Sequence, residues 1–305
     1  MNNKKTDKYS VLALLPSTGL CNKLFIWARA LVFAEINDMQ MYCVGWTKPK
    51  IRTIIRREKS SRLYLHQIKK QGILDSLKIL CKYALGKKGY DPIVSKISND
   101  DCRTVFVFRD LQANSNPEDP FRELIDFRDF VLKSLSNLIS NECRDQISET
   151  SFAPIAVHVR RGDFSHFDWW QPIESFCEML QNARSLAQEC LPATVYSDGT
   201  IEELKPLLEM PNVTLAPNAP DIVDLFRLSR SQVLITSRAS TFSNWAAFMS
   251  EGMILRDPLF SPMPCRPSTL NEQWFEGAVP KNSKDWPLQA KKNLLVIGKA
   301  YREGK

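Results

Sequence analysis

The segment IAVHVRRGDF (155–164) sets His158, Arg160 and Arg161 at the end of an apolar run, with Gly162 and Asp163 just beyond. Two guanidinium groups at the end of a buried strand are costly unless they meet an anion. Arginine holds phosphate oxygens bidentately and stays charged when partly desolvated. Strand alternation puts His158 and Arg160 on one side and Arg161 on the other. This predicts Arg160 on a diphosphate and Arg161 in a structural pair, with Asp163 as the nearest partner; the plainer alternative is a surface salt bridge. A second stretch, SRASTFSNWAA (237–247), follows an apolar run and opens a helix. There Ser240, Thr241, Phe242 and Ser243 offer hydroxyl and N–H groups where the helix dipole favours negative charge. Alone, Ser240 could equally be an ordinary N-cap; beside an arginine from a neighbouring strand end, the phosphate reading is the stronger one. YSDG (196–199) ends a further run with Ser197 and Asp198. Asp224 sits among apolar neighbours in DIVDLFRL, either as a solvated helix carboxylate or as an acceptor for the paired N–H donors of guanine.

The elements that must position these residues follow from periodicity. In the second half, strands are expected at 155–160, 193–198, 213–216 and 232–237, alternating with helices at 172–189, 201–208, 221–231 and 241–251. This is the pattern of a parallel sheet wound on both faces, and ligands bind such sheets beyond the carboxyl ends of the strands. The polar strand ends HVRRGD, YSDG and SRAST and the loop NAPD should therefore converge on one crevice. The first half also reads as α/β: a strand at 11–16, the loop STGLCN, a helix at 24–38, strands at 41–46 and 104–108, and a long helix at 121–139. The polar stretch 141–154 is the expected junction.

The bulk composition narrows the classes. The chain has 305 residues, 44% hydrophobic and 25% charged, as in ordinary globular proteins of two domains. The N-terminal lysines precede an apolar run, VLALL, that Pro16 closes too early for a secretory signal, and there is no run long enough to span a bilayer. The expected location is the cytoplasm. The eight cysteines form no CxxC pair and read as reduced core residues. The three histidines make no zinc motif, and no Asp-any-Asp triplet occurs, so metal-independent chemistry without a cofactor is expected. Net charge is +7, yet residues 48–88 carry thirteen Lys or Arg against only Glu58 and Asp75, so the remainder is net acidic. Without an aromatic platform or a reading motif, nucleic acid is not the expected partner. ILDSLKILCKYALGKK (73–88) instead resembles an interfacial amphipathic helix. The alternatives are a solvated basic face and peripheral contact with anionic lipid or a lipid-linked pyrophosphate.

The order GLxN, HxRRGD, a strand ending in SD, and DLxxLS…SxxSxFSxWAA resembles the α-1,2-fucosyltransferases, glycosyltransferase family 11, within the wider HxRRxD fucosyltransferase group. The resemblance spans about residues 11–255 as four islands. It implies a GT-B fold, with two Rossmann-like domains facing across a cleft: an acceptor-side domain at 1–148 and a GDP-sugar-binding domain at 149–305, the last helix (288–303) crossing back. It also implies metal-independent, inverting transfer of fucose from GDP-fucose to a glycan hydroxyl. Arg160 would match the arginine on the β-phosphate, His158 and Asp224 positions near guanine, and Ser240, Thr241 and Ser243 the phosphate-binding SSFS segment. Asn22 would match the asparagine of the GLGN loop lining the donor–acceptor cleft. The resemblance also implies Asp168 as the general base, because a base in some related fucosyltransferases follows the arginine pair at similar spacing; His166 is the rival, and a plain loop residue is the alternative for either. Four residues depart from the pattern: Cys21 and Lys23 in GLCNK, Arg238 before Ser240, and Asn244 where a tryptophan is common. A catalytically silent GDP-sugar binder, or an enzyme using another GDP-sugar, is the alternative.

Overall fold

The computed structural model describes residues 6–47, 64, 66–69, 79, 81–97, 104–111, 116, 118–148, 153–162, 170–260 and 263–304. The chain divides into two compact units, Met1–Cys143 and Arg144–Lys305. The first holds β1 (Thr6–Leu14), α1 (Leu20–Ile36), β2 (Met39–Val44), β3 (Lys87–Tyr90), β4 (Thr104–Phe108) and α2 (Arg128–Leu138). Helix α3 (Asn141–Ser148) spans the division, which falls a little before the 148/149 boundary expected from the sequence.

The first sheet has the order β2-β1-β4-β3, and every pairing is parallel. VLALL lies in and just after β1. Because the side chains alternate, Leu12 meets Val105 and Val107 on one face. On the other face, Phe33 of α1 packs on Phe106 and Phe108. Helix α1 is apolar on nearly all sides and almost wholly buried, so it must lie inside the unit.

Two expectations for this unit are corrected. Helix α1 begins at Leu20 rather than Leu24, so Asn22 stands in its first turn and not in a loop. Its N-cap, Gly19, makes no side-chain cap bond, so no cap residue marked the start. The long helix at 121–139 is instead a turn, a 3-10 segment (Ile125–Phe127) and α2. Here tertiary contacts win over periodicity: Glu123 is drawn to Arg29 Nε at 2.6 Å and to the Val94 N–H, while Phe121 packs on Phe25. Of the basic stretch, 48–63 lies outside the described residues, as does most of 70–80. Lys87 and Lys88 belong to β3 rather than to a helix.

The second unit contains β5 (Ile155–Val159), α4 (Ile173–Ala187), β6 (Ala193–Ser197), α5 (Ile201–Leu208), β7 (Val213–Leu215), α6 (Asp221–Ser229) and β8 (Val233–Ile235). It continues with α7 (Thr241–Met249), β9 (Met253–Arg256), α8 (Ser268–Gln273), β10 (Glu276–Ala278) and α9 (Leu288–Glu303). All pairings are parallel in the order β10-β9-β8-β5-β6-β7. Written from its first strand, that is the 3-2-1-4-5-6 order of a dinucleotide-binding sheet, with its switch point between β5 and β8. Strands β9 and β10 were not expected from the sequence. Buried apolar residues of β5, α4, β6, β8 and β9 form the core on the α4 side, and α9 closes it through Ala290, Leu294 and Ile297. Within the second unit this last helix packs on α4. At the contact a Cβ on Gly298 would collide with the Ala187 carbonyl, so only glycine permits the approach.

Candidate functional site

Three adjacent strands deliver the polar residues of the second unit to one edge. The β5 strand ends in His158 and Val159 and runs into Arg160, Arg161 and Gly162; β6 ends in Ser197 and runs into Asp198; β8 runs into Ser237 and the N-terminus of α7. Because β5 pairs with both β6 and β8, the sheet itself brings these ends together at its switch point.

His158 is buried against α7. Its Nδ1 lies 2.7 Å from Ser243 Oγ, which also accepts the Ser237 N–H at 2.9 Å. The hydroxyl keeps a second acceptor position and its own proton, so this contact fits either neutral tautomer of the ring. Burial, helped by the charge of Arg160, pushes the His158 pKa down to about 3, so the ring is neutral at physiological pH. Its face packs at 5.1 Å on Phe242. Ser237 Oγ in turn accepts the Arg160 N–H at 3.1 Å. Ser240 does cap α7, accepting the Ser243 N–H at 3.3 Å. The preceding N–H groups, those of Thr241 and Phe242, take no backbone acceptor among the described residues. They point out of the helix start, where an anion is favoured.

The two arginines have separate surroundings. Arg160 Nη1 lies 2.5 Å from Asp198 Oδ2, with both side chains partly exposed. Asp198 also accepts the Arg161 N–H at 2.8 Å, and Ser197 Oγ donates to the Val159 carbonyl at 2.6 Å. Ser197 and Asp198 thus fix the end of β5. Gly162, at φ +35°, turns the chain beside this pair, where a Cβ would press on Asp198. Arg161 points to the α4 side and is only 1% exposed. Its Nη1 donates to the Gln171 carbonyl at 2.7 Å, and its guanidinium lies over the Trp170 ring at 4.2 Å. Asp163, His166 and Asp168 lie outside the described residues.

Asp224, in the first turn of α6, is largely buried, and its Oδ1 takes no hydrogen bond. Burial, opposed by Arg227 at 3.7 Å, pushes its pKa up to about 7. Its charge also helps burial raise the Tyr196 pKa to about 12. Asn22, likewise with an unbonded buried Oδ1, belongs to the first unit.

Three of the four residues that depart from the fucosyltransferase pattern, all but Cys21, have specific structural partners. Lys23 is fully buried, its ammonium donating to the Gly45 and Trp46 carbonyls at 2.9 and 3.0 Å. Asn244 accepts from Arg256 at 3.2 Å. Arg238 is held by Asp257 at 2.9 Å. Sequence reading missed Ser237, Gln171 and Asp257. Asp257 follows β9 directly, so recognising MILR as a strand would have placed it at the same edge.

No family model matches the chain, and no curated protein matches it. Among solved structures, the chain is similar to the α-1,6-fucosyltransferase NodZ co-crystallized with GDP, at 14% identity over 84% of this chain and 97% of that chain, with a TM-score of 0.51. It is also similar to fucosyltransferase NodZ from Bradyrhizobium (15% identity, 81% and 95% of the chains, TM-score 0.48). A further likeness is to an Arabidopsis thaliana FUT1 variant in complex with GDP (13% identity, 87% and 76%, TM-score 0.46). Together with the two parallel sheets, the first of these likenesses establishes the fold: two Rossmann-like units of the GT-B type.

Proposed function

We propose that the protein transfers fucose from GDP-fucose to a hydroxyl of an acceptor glycan, as a metal-independent, inverting enzyme related to the α-1,2-fucosyltransferases. The observation that carries this reading is the clustering of Arg160, Asp198, neutral His158 and the α7 N-terminus at the β5/β8 switch point. The fold shared with NodZ, which was crystallized with GDP, supports it. The second unit binds the donor, and the first contributes to holding the acceptor.

In the reaction, the bond between the anomeric carbon and the β-phosphate oxygen breaks, and its electron pair stays on the phosphate. Arg160 and the Thr241 and Phe242 N–H groups meet that growing charge, which stabilises the transition state more than the ground state. The acceptor oxygen attacks the opposite face and passes its proton to Asp168, the proposed base. Asp198 and Ser237 position Arg160 rather than touch substrate. Asp224 accepts from guanine. The acceptor belongs to bacterial surface polysaccharide synthesis at the cytoplasmic face, and residues 48–88 give peripheral contact with the membrane or a lipid-linked acceptor.

The test is GDP release from GDP-fucose, GDP-mannose and GDP-glucose, in EDTA, with and without glycan acceptors. Preferential turnover of GDP-fucose supports the proposal. GDP binding without turnover of any donor would identify a silent binder, and turnover of another GDP-sugar alone would reassign the donor.

A further inference from the structure

The residues just before α4 are fixed far more tightly than a connecting loop requires. Arg161 Nη1 donates to the Gln171 carbonyl at 2.7 Å, and Arg238 Nη1 to the Trp170 carbonyl at 3.4 Å. The Gln171 side chain accepts the Arg238 N–H at 3.0 Å and donates to Ser175 Oγ at 3.2 Å. Ser175 donates to Asp257 Oδ2 at 3.2 Å, and Asp257 Oδ1 accepts Arg238 Nη2 at 2.9 Å, closing the ring of bonds. Gln171 and Asp257 are 1% and 4% exposed, so this is a buried, cross-linked polar network.

At its edge stands one residue that is not buried. Trp170 is 36% exposed, while the Arg161 guanidinium lies over its ring at 4.2 Å. That contact lies over one side of the ring. An aromatic ring costs free energy in water, and its backing here stops it from turning inward. Trp170 follows β5 and precedes α4, so it stands at the same carboxyl edge as Arg160, on the side of the sheet that carries Arg161 and Phe176. Asp224 and Tyr196 lie towards α6, on the other side. The base and the indole therefore belong to different flanks of the diphosphate position.

We infer that Trp170 is a stacking platform for a pyranose ring of the acceptor, held in place by the Arg161–Gln171–Arg238–Asp257 network. A flat indole face matches the C–H face of a pyranoside, leaving the sugar hydroxyls at the rim. The inference rests on the glycosyl-transfer reading for its ligand class. Arg238, a departure from the fucosyltransferase pattern, becomes a positioning residue for this subsite.

The experiment uses the full chain labelled with 15N-tryptophan, the Trp170 indole resonance being identified by its loss in Trp170→Phe. Methyl β-D-galactopyranoside, methyl β-D-glucopyranoside and methyl N-acetyl-β-D-glucosaminide are titrated with and without GDP. At least one should move the Trp170 resonance saturably. Trp170→Ala should weaken that glycoside about tenfold, as loss of an aromatic contact does, while GDP affinity stays unchanged and Trp170→Phe loses less. Asp257→Asn should give an intermediate loss, because it loosens the ring's support without removing the ring. Should Trp170→Ala fail to fold, Trp170→Leu takes its place. A Trp170 resonance unmoved by all three glycosides, equal glycoside affinity in the non-aromatic variant, or a parallel loss of GDP affinity would each overturn the inference. Glycosides that shift Trp170 in a protein unable to bind GDP would support the platform and count against the donor reading alone.

Discussion

Replacing Asp224 with asparagine should change how stability depends on pH, with a sign and size that follow from its burial. The carboxyl is raised to about 7, chiefly by desolvation, with Arg227 opposing. In the unfolded chain an aspartate titrates near about 3.9. Between those values the folded state holds more protons than the unfolded state, so the Asp224 contribution lowers stability as pH rises. At roughly 1.4 kcal/mol per pH unit the full window amounts to about 4 kcal/mol, an upper limit for a partly exposed side chain. His158 works in the opposite sense. Its folded pKa of about 3 lies below that of a free histidine, so its contribution raises stability with pH over the interval between them. In the wild type the two slopes oppose each other from about pH 4 to 6.5. Asp224→Asn removes one slope and exposes the other. Its stability relative to the wild type should grow with pH, reaching up to about 4 kcal/mol at pH 8. The assay is urea unfolding at fixed pH values from 4.5 to 8, followed through the exchange-protected amides of β5 and β8 so that the second unit is read by itself. Parallel curves for the two proteins would refute the reasoning.

Arg160→Lys should lower turnover of GDP-fucose by about 10²–10³-fold with little change in unfolding temperature, since lysine cannot reproduce the guanidinium fork; steady-state kinetics and calorimetric melting check this. Ser243→Ala leaves His158 Nδ1 and the Ser237 N–H without their shared partner, and should cost about 2–5 kcal/mol in urea unfolding. Glu276→Gln should cost about 3–5 kcal/mol by the same measurement, because Arg256 and Arg266, both buried, share that one carboxylate.

How much of this was legible in the sequence depends on what each segment buries. IAVHV, ATVYS and VLI are covered on both faces, so their apolar runs declared them, and the strand ends that follow carried the site. KKGY and EGA are short edge strands whose pairing depends on β4 and β9, and nothing in their own pattern marks them. The separation of Arg160 from Arg161 was legible from strand alternation. The partner of Arg161 was not: two of its contacts, Gln171 and Trp170, come from a loop that periodicity cannot place. Lys23 looked like a polar member of an N-terminal motif. Its burial follows from the Gly45 and Trp46 carbonyls, distant in sequence, that receive its ammonium.

The central claim is that the β5/β8 edge binds the diphosphate of a GDP-sugar without metal. Calorimetric titration of GDP into the wild type and Arg160→Lys, in EDTA-containing buffer, tests it most directly. The account predicts saturable one-to-one binding by the wild type that chelation does not weaken and that Arg160→Lys reduces. GDP that fails to bind in EDTA, or that binds Arg160→Lys as tightly as the wild type, would contradict it.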